Sequence, residues 1–240
     1  MLREWHGFNH GTPTGWGSML GVKMVWTETK LGEVIATIRR VLGDPRPAVK
    51  HKDPFRVLIA TVLSARTRDE NTIKATENLF SKYKTPEEIL QADIGEIEEL
   101  IRPAGFYRVK ARRIQGIAKK IVEDFGGKTP ETLEELLTLP GVGRKTANCV
   151  LVYGYGKEAI PVDVHVHRIT NRLGWVKTGT PEQTEQALKK VLPKEFWAEI
   201  NGLLVRYGQQ VCLPKNPRCS LCQVKQHCDH YRNRSDPSSG

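Results

Sequence analysis

From residue 28 onward, apolar side chains recur at helical spacing almost throughout the chain. Leu31, Val34, Ile35, Ile38, Val41 and Leu42 follow the i, i+3, i+4, i+7 pattern that lays one apolar stripe along a helix. Three later segments open alike, at Thr85-Pro86-Glu87, Thr129-Pro130-Glu131 and Thr180-Pro181-Glu182. In each, the threonine suits an N-cap, the proline suits the first helical position and the glutamate suits the positive end of the helix dipole. Asp53-Pro54 reads the same way, and Asp69 reads as a further cap. Pro103, Gly105, Gly126-Gly127, Gly174 and Pro193 mark stops or turns. Alternation of period two appears only briefly, over Val162–Val166, which is too short to make a sheet. The expected class is all-α, without a repeat of 20–50 residues.

Composition narrows what such a helical chain can be. The 240 residues are 39% hydrophobic, enough for a core without disulfide staples. No run approaches the roughly 18 apolar residues of a membrane-spanning helix, so an integral membrane protein is not expected. Lysine and arginine number 37 against 27 acidic residues, giving a net charge of +10. That excess points to a polyanionic partner, either nucleic acid or an acidic membrane surface. Residues 1–26 carry Trp5, Trp16 and Trp26 with five glycines, and have neither the apolar core of a signal peptide nor an Arg-rich amphipathic face. They read as a loosely ordered extension, with Met19 and Met24 as alternative starts, in a cytoplasmic protein. The polar tail 232–240 reads as disordered.

The sharpest local motif is Leu139-Pro140-Gly141-Val142-Gly143-Arg144-Lys145-Thr146-Ala147, between a helix of about 130–138 and a second with Ala147, Val150 and Leu151 on one face. Two glycines permit a tight turn and close approach of another molecule, and amides at the start of the following helix suit a phosphate oxygen. This is the pattern of a helix-hairpin-helix clamp on a DNA backbone. A nucleotide P-loop fails, because the residue before Lys145 is not glycine and no strand precedes it. Lys145, beside Arg144 and at a helix start, reads either as a phosphate-binding lysine or, with its neutral amine favoured there, as a nucleophile toward a sugar C1′. Eighteen residues on, Asp163 offers a carboxylate to take its proton and stabilise cationic charge, while also suiting an N-cap. Asp163, His165 and His167 do not share a helical face, which argues against a metal there.

Four cysteines crowd into Cys212-x6-Cys219-x2-Cys222-x5-Cys228. Such thiolate density marks a metal centre, and chemistry alone leaves zinc and a [4Fe-4S] cluster both open. Lys215 and Arg218 on its first loop suit phosphate contacts, whereas Cys149 reads as a small core residue. Between Arg102 and Lys128 stand eight basic and two acidic residues, a basic stretch entered through Ala104-Gly105-Phe106-Tyr107, where an aromatic wedge could enter a base stack.

Taken together, Leu139–Ala147, Val162-Asp163-x-His165 and the x6-x2-x5 cysteine cluster resemble the endonuclease III family of helix-hairpin-helix DNA glycosylases and abasic-site lyases, over roughly residues 29–230. Glu199–Leu204 and Gly208–Cys212 are similar to its thymine glycol branch. The resemblance implies a six-helix domain at 47–158 and an iron-sulfur domain built from 27–46 and 159–231, with double-stranded DNA across the cleft between them and a monomeric, nucleoid-associated enzyme. It implies Lys145 as nucleophile, Asp163 as the acid opposite, and a [4Fe-4S] cluster on Cys212, Cys219, Cys222 and Cys228. Gly141, Val142, Gly143, Arg144, Arg66, Phe106, Lys215 and Arg218 would then contact DNA containing oxidised pyrimidines or abasic sites. Two positions depart from the family pattern, with Arg66 where a glutamine is frequent and Phe106 where a leucine is frequent. The rival readings are a monofunctional mismatch or damaged-base glycosylase and a non-catalytic DNA-binding module.

Overall fold

The computed structural model describes residues 26–43 and 53–234. The expected extension up to residue 25 and the tail from 235 lie outside the described residues. Within them the chain is helical, in the order α1 (Glu28–Leu42), α2 (Pro54–Ser64), α3 (Asp69–Lys82), α4 (Pro86–Gln91), α5 (Ile94–Leu100), α6 (Tyr107–Phe125), α7 (Leu133–Leu137), α8 (Arg144–Cys149), α9 (Val164–Leu173), α10 (Pro181–Val191), α11 (Ile200–Gln210) and α12 (Asp229–Arg234).

Several starts follow the sequence rules. Thr85 and Glu88 close a capping box at α4, Asp53 caps α2 ahead of Pro54, and Thr180 accepts from the Gln183 amide at α10. Two starts differ. Thr132, not Thr129, caps α7, because Thr132 has Glu135 three residues on and takes its amide; Thr129 is buried and gives its carbonyl to the Tyr155 hydroxyl. Asp69 is the first residue of α3 rather than its cap, and Arg68 precedes it with no side-chain cap. At the other end, residues 232–234, placed in the tail from sequence, continue α12 to Arg234.

Buried side chains gather in two clusters. The first is centred on α2, whose Phe55, Val57, Leu58, Ile59, Val62 and Leu63 are all buried, so this helix is apolar all round and sits at the middle of its lobe. The cluster runs from Phe55 to Ala159. The second joins Leu31, Val34, Ile35, Ile38 and Leu42 of α1 to residues between Ile160 and Cys228. Val41, counted in the α1 stripe from sequence, is 46% exposed. Helix α1 packs on α11, and Arg39 pairs with Glu199 across 160 positions of chain. Trp26 meets Trp175 edge to face at 5.9 Å.

Candidate active site between the two lobes

The hairpin is built by α7, a turn and α8. Leu139 accepts from the Val142 amide at 3.1 Å, and Gly141 takes φ 71°, where a Cβ would run into the Arg113 guanidinium. Glycine is demanded there by the fold. Gly143 differs, since its φ of −93° suits any residue and a Cβ would meet nothing. The hairpin is therefore open on the side where another molecule would approach, while Val142 is buried beneath it.

The Arg144 guanidinium is engaged by the second lobe. Its Nε and a terminal nitrogen fork onto Glu185 of α10 at 2.6 and 3.1 Å. Glu185 is 1% exposed and also accepts from Asn148 Nδ2 at 2.9 Å and Lys189 Nζ at 2.8 Å. One carboxylate of the second lobe thus latches both Arg144 and Asn148 of α8. Burial pushes Glu185 up, but the hydrogen bonds from Arg144 and Lys189 outweigh it and hold the carboxyl below the ordinary range. Its contribution to stability is present above the unfolded-state value of 4.5 and lost as pH falls through the lower folded value. Glu185→Ala strands three donors around a cavity. Because Arg144 and Lys189 keep about a third of their side-chain surface, the expected loss in urea denaturation is about 2–3 kcal/mol. An unchanged midpoint would show the latch to be idle.

Lys145 follows Arg144 and turns the other way, into a cavity of about 900 Å³ lined from both lobes. Asp163, Cys149, Tyr153 and Asp69 line the same cavity. The Lys145 ammonium is held above the ordinary lysine value, by the Cys149 sulfur first, then by the Asp163 and Asp69 carboxylates, with burial opposing them. Burial also pushes the Cys149 thiol up, so the sulfur serves Lys145 as a hydrogen-bond partner while the carboxylates supply the charge. The sequence expectation of a favoured neutral amine is corrected here. The cation invoked for it, Arg144, is neutralised by Glu185, and two carboxylates, Asp163 and Asp69, act on the ammonium. At rest the lysine keeps its proton, and attack requires an acceptor for it.

Asp163 caps α9, with one carboxylate oxygen accepting from the His165 and Val166 amides at 2.9 Å each. That fixes the carboxylate in the cavity wall. Burial above all pushes His165 below the ordinary histidine value, and its Nδ1 lies 3.1 Å from Arg168; His167 Nδ1 lies 2.7 Å from Thr184 Oγ1. Both rings are engaged within the protein. Sequence reasoning placed Cys149 in the core; it is buried, but it lies one helical turn after Lys145 on the same face, a spacing that was legible. Val150–Gly154 continues α8 as a π turn that brings Tyr153 to the cavity.

Arg66 and Phe106 lie on neighbouring turns, both in the left-handed region at φ 53° and 57°, and Phe106 is 63% exposed. The basic stretch entered through Phe106 is not one free patch. Arg102 pairs with Glu99, Lys119 with Glu123 and Lys120 with Asp124, and Lys110 is buried.

Cys212, Cys219, Cys222 and Cys228 are free thiols around one small enclosed space of about 20 Å³. No three His, Cys, Asp or Glu side chains among the described residues stand close enough to hold a single metal ion. Donors nevertheless aim at the sulfurs. Tyr207 Oη is 3.0 Å from Cys222 Sγ, and burial keeps that phenol protonated. Arg172 donates to Cys212 Sγ at 3.4 Å and to the Leu213 and Pro214 carbonyls at 2.7 and 2.8 Å. Hydrogen bonds of this kind suit thiolates carrying net negative charge. Lys215 is exposed on the loop so held, and Arg218, also exposed, gives one hydrogen bond to the Gln210 carbonyl at 3.3 Å.

Comparison with known proteins gives a consistent set of likenesses. Residues 59–194 match the HhH-GPD superfamily of base excision DNA repair proteins. Endonuclease III of Thermotoga maritima is 58% identical over 185 residues, covering 77% of this chain and 87% of that protein. A trapped endonuclease III–DNA covalent intermediate superposes with a TM-score of 0.77 at 34% identity, covering 88% of this chain and all of the other. A thermostable thymine-DNA glycosylase superposes with a TM-score of 0.74 at 27% identity, covering 86% of this chain and 97% of the other.

Proposed function

Because this chain belongs to the endonuclease III family within the HhH-GPD superfamily, we propose that its interlobe cavity receives a flipped-out oxidised pyrimidine, thymine glycol above all. The enzyme is a base excision repair DNA glycosylase and abasic-site lyase, with duplex DNA as its partner. The observation that carries the catalytic assignment is the meeting of Lys145 and Asp163 in one cavity from two different lobes. Asp163 takes a proton from the Lys145 ammonium. The freed amine attacks C1′, the N-glycosidic bond breaks, and the base leaves with its bonding pair and gains a proton. The nitrogen loses a proton, the C1′–O4′ bond breaks with O4′ taking up a proton, and the opened sugar is left as a Schiff base. This withdraws electrons, a C2′ proton is removed, and the C3′–O bond breaks with the 3′ phosphate leaving, which nicks the strand 3′ to the abasic site.

DNA contact is shared among several elements. Gly141, Val142 and Gly143 form the hairpin edge that approaches a phosphate, and Gly143 leaves that approach unobstructed. Lys215 and Arg218 meet the backbone on the cysteine-bounded loop. Arg144 acts here through Glu185, as the anchor of the hairpin. Arg66 faces the base left opposite the flipped nucleotide, with its forked donors suited to guanine acceptors, and Phe106 wedges the stack. With chromosomal DNA as substrate, a nucleoid-associated place in the cytoplasm follows; no helix among the described residues is long and apolar enough to cross a membrane.

The four cysteines are the ligand set for a [4Fe-4S] cluster. Four free thiols around one space, with Arg172 donating to Cys212 Sγ and the Tyr207 hydroxyl 3.0 Å from Cys222 Sγ, support that group. Bound there it would order the loop carrying Lys215 and Arg218 and take no part at the sugar. Protein purified without oxygen is expected to hold about four iron and four sulfide per chain; stoichiometric zinc without sulfide would overturn the assignment.

The substrate is tested on three duplexes, carrying thymine glycol, a G·T mismatch or a preformed abasic site, each with and without borohydride. Excision of thymine glycol with spontaneous nicking and a reducible adduct is the expected result. Thymine removal from the mismatch without nicking would favour a monofunctional enzyme. Binding without reaction on all three would favour a non-catalytic module.

A further inference from the structure

Helix α2 ends at Ser64, and the chain then turns through Ala65, Arg66 and Thr67 before α3. Helix α6 starts after a second turn, Ala104 to Phe106. Lys110 lies one turn into α6 and is 4% exposed. Its ammonium makes three hydrogen bonds of 2.7 Å, to the Leu63 carbonyl, the Ala65 carbonyl and Thr67 Oγ1. An ammonium has three donors, and all three are used on the residues flanking Arg66. The Lys110 backbone amide meanwhile donates to the Phe106 carbonyl at 3.1 Å. One residue therefore holds both turns, by its side chain and by its backbone.

The turns also touch directly. A Cβ on Gly105 would lie 3.2 Å from the Arg66 carbonyl oxygen. Arg66 and Phe106 are non-glycine residues in the left-handed region, a conformation that persists only where the surroundings over-determine it. Burial first, and Arg113 after it, push Lys110 down to about 8. The fold thus keeps a charge where burial opposes it, and the three acceptors beside Arg66 are what that charge serves.

We propose that Lys110 is a positioning residue that makes the Arg66 and Phe106 turns one rigid unit, so that reading the orphaned base and wedging the stack occur as a single event. The proposal rests on the reading that Arg66 and Phe106 enter the duplex. It predicts that the two side chains fail together when the staple is cut, although they are 40 residues apart in sequence.

The test uses the full chain and a duplex with 2-aminopurine opposite a stable tetrahydrofuran abasic analogue. Fluorescence then reports disturbance of the opposite base, and single-turnover excision of thymine glycol is measured in parallel. Lys110→Met, Arg66→Ala, Phe106→Ala and the double variant Lys110→Met/Arg66→Ala are compared with the parent, below the thermal midpoint of each. Lys110→Met is expected to lose most of the fluorescence signal and up to about a hundredfold in excision, the scale of a small misplacement. The double variant is expected to lose no more than Lys110→Met alone. Multiplying losses in the double variant, or a parental signal in Lys110→Met, would overturn the proposal while Arg66→Ala and Phe106→Ala still act. A parental signal in both of those variants would overturn the underlying reading, and this proposal with it. Should Lys110→Met not fold, Thr67→Val removes one acceptor at the half-buried edge of the staple and is expected to show a smaller loss of the same kind; a parental signal there would overturn the proposal.

Discussion

Replacing Lys145 by alanine is expected to abolish the borohydride adduct on an abasic duplex and to lower strand cleavage by about three orders of magnitude or more. The expectation follows from position. Lys145 lies in the first turn of α8 beside a residue locked to the second lobe, and its amine meets Cys149, Asp163 and Asp69 inside the cavity. The fold depends on its neighbour rather than on it, because the latch to Glu185 runs through Arg144 and Asn148. Binding to a duplex with an uncleavable abasic analogue should therefore change little. In the parent, the raised ammonium has a sign that can be checked. The charged form is favoured at rest and hands its proton to Asp163 within the cavity, so activation changes no proton count. Adduct formation is therefore expected to stay level as pH rises through 7 and 8, where an amine pushed down to neutrality would titrate instead. A residual adduct in Lys145→Ala would assign the Schiff base to another amine.

Asp163→Asn is expected to lower base excision by about two to three orders of magnitude while leaving stability nearly unchanged. The two roles of this side chain separate cleanly in that variant. Its oxygen accepts from the His165 and Val166 amides at the start of α9, and asparagine caps a helix about as well as aspartate. What asparagine lacks is the negative charge that takes the lysine proton and faces the developing cation. Asp163→Ala removes cap and charge together and is expected to lose about 1 kcal/mol of stability besides. Thermal midpoints and single-turnover rates measured on both variants decide the matter. Activity tracking stability across the pair would make Asp163 structural alone.

The parts of the molecule legible in sequence are those whose information is local. Lys145 sits in a nine-residue motif, Asp163 precedes the helix it caps, and the four cysteines lie within one short segment. Local rules erred where two neighbours competed for one role. Thr129 and Thr132 both suit a cap, and Glu135 decides for the second. Arg68 and Asp69 both stand at the start of α3, and the backbone begins its helical turn one residue earlier than the acidic side chain suggests. Long-range chemistry was out of reach. Arg144 gave no sign of the carboxylate 41 residues away that neutralises it, nor Lys110 of carbonyls more than 40 residues before it. A basic run looks the same in sequence whether its charges face solvent, pair with a glutamate one turn on, or turn inward. Cys149 is the intermediate case, because its i+4 relation to Lys145 was visible while the cavity they share was not.

The pairing of α1 with α11 sets an order of events at the ribosome. Helix α1, the first among the described residues, has its apolar partner some 160 positions later, as the Arg39–Glu199 contact marks. At a synthesis rate of about 5–20 residues per second, that helix waits roughly ten to thirty seconds for its partner. The residues from Phe55 to Ala159, which pack into their own core, are all synthesised in the interval, and the hairpin with Lys145 precedes in the chain the wall that carries Asp163. A nascent chain therefore carries the hairpin before it owns a cavity, and the cavity closes only when α11 returns to meet α1.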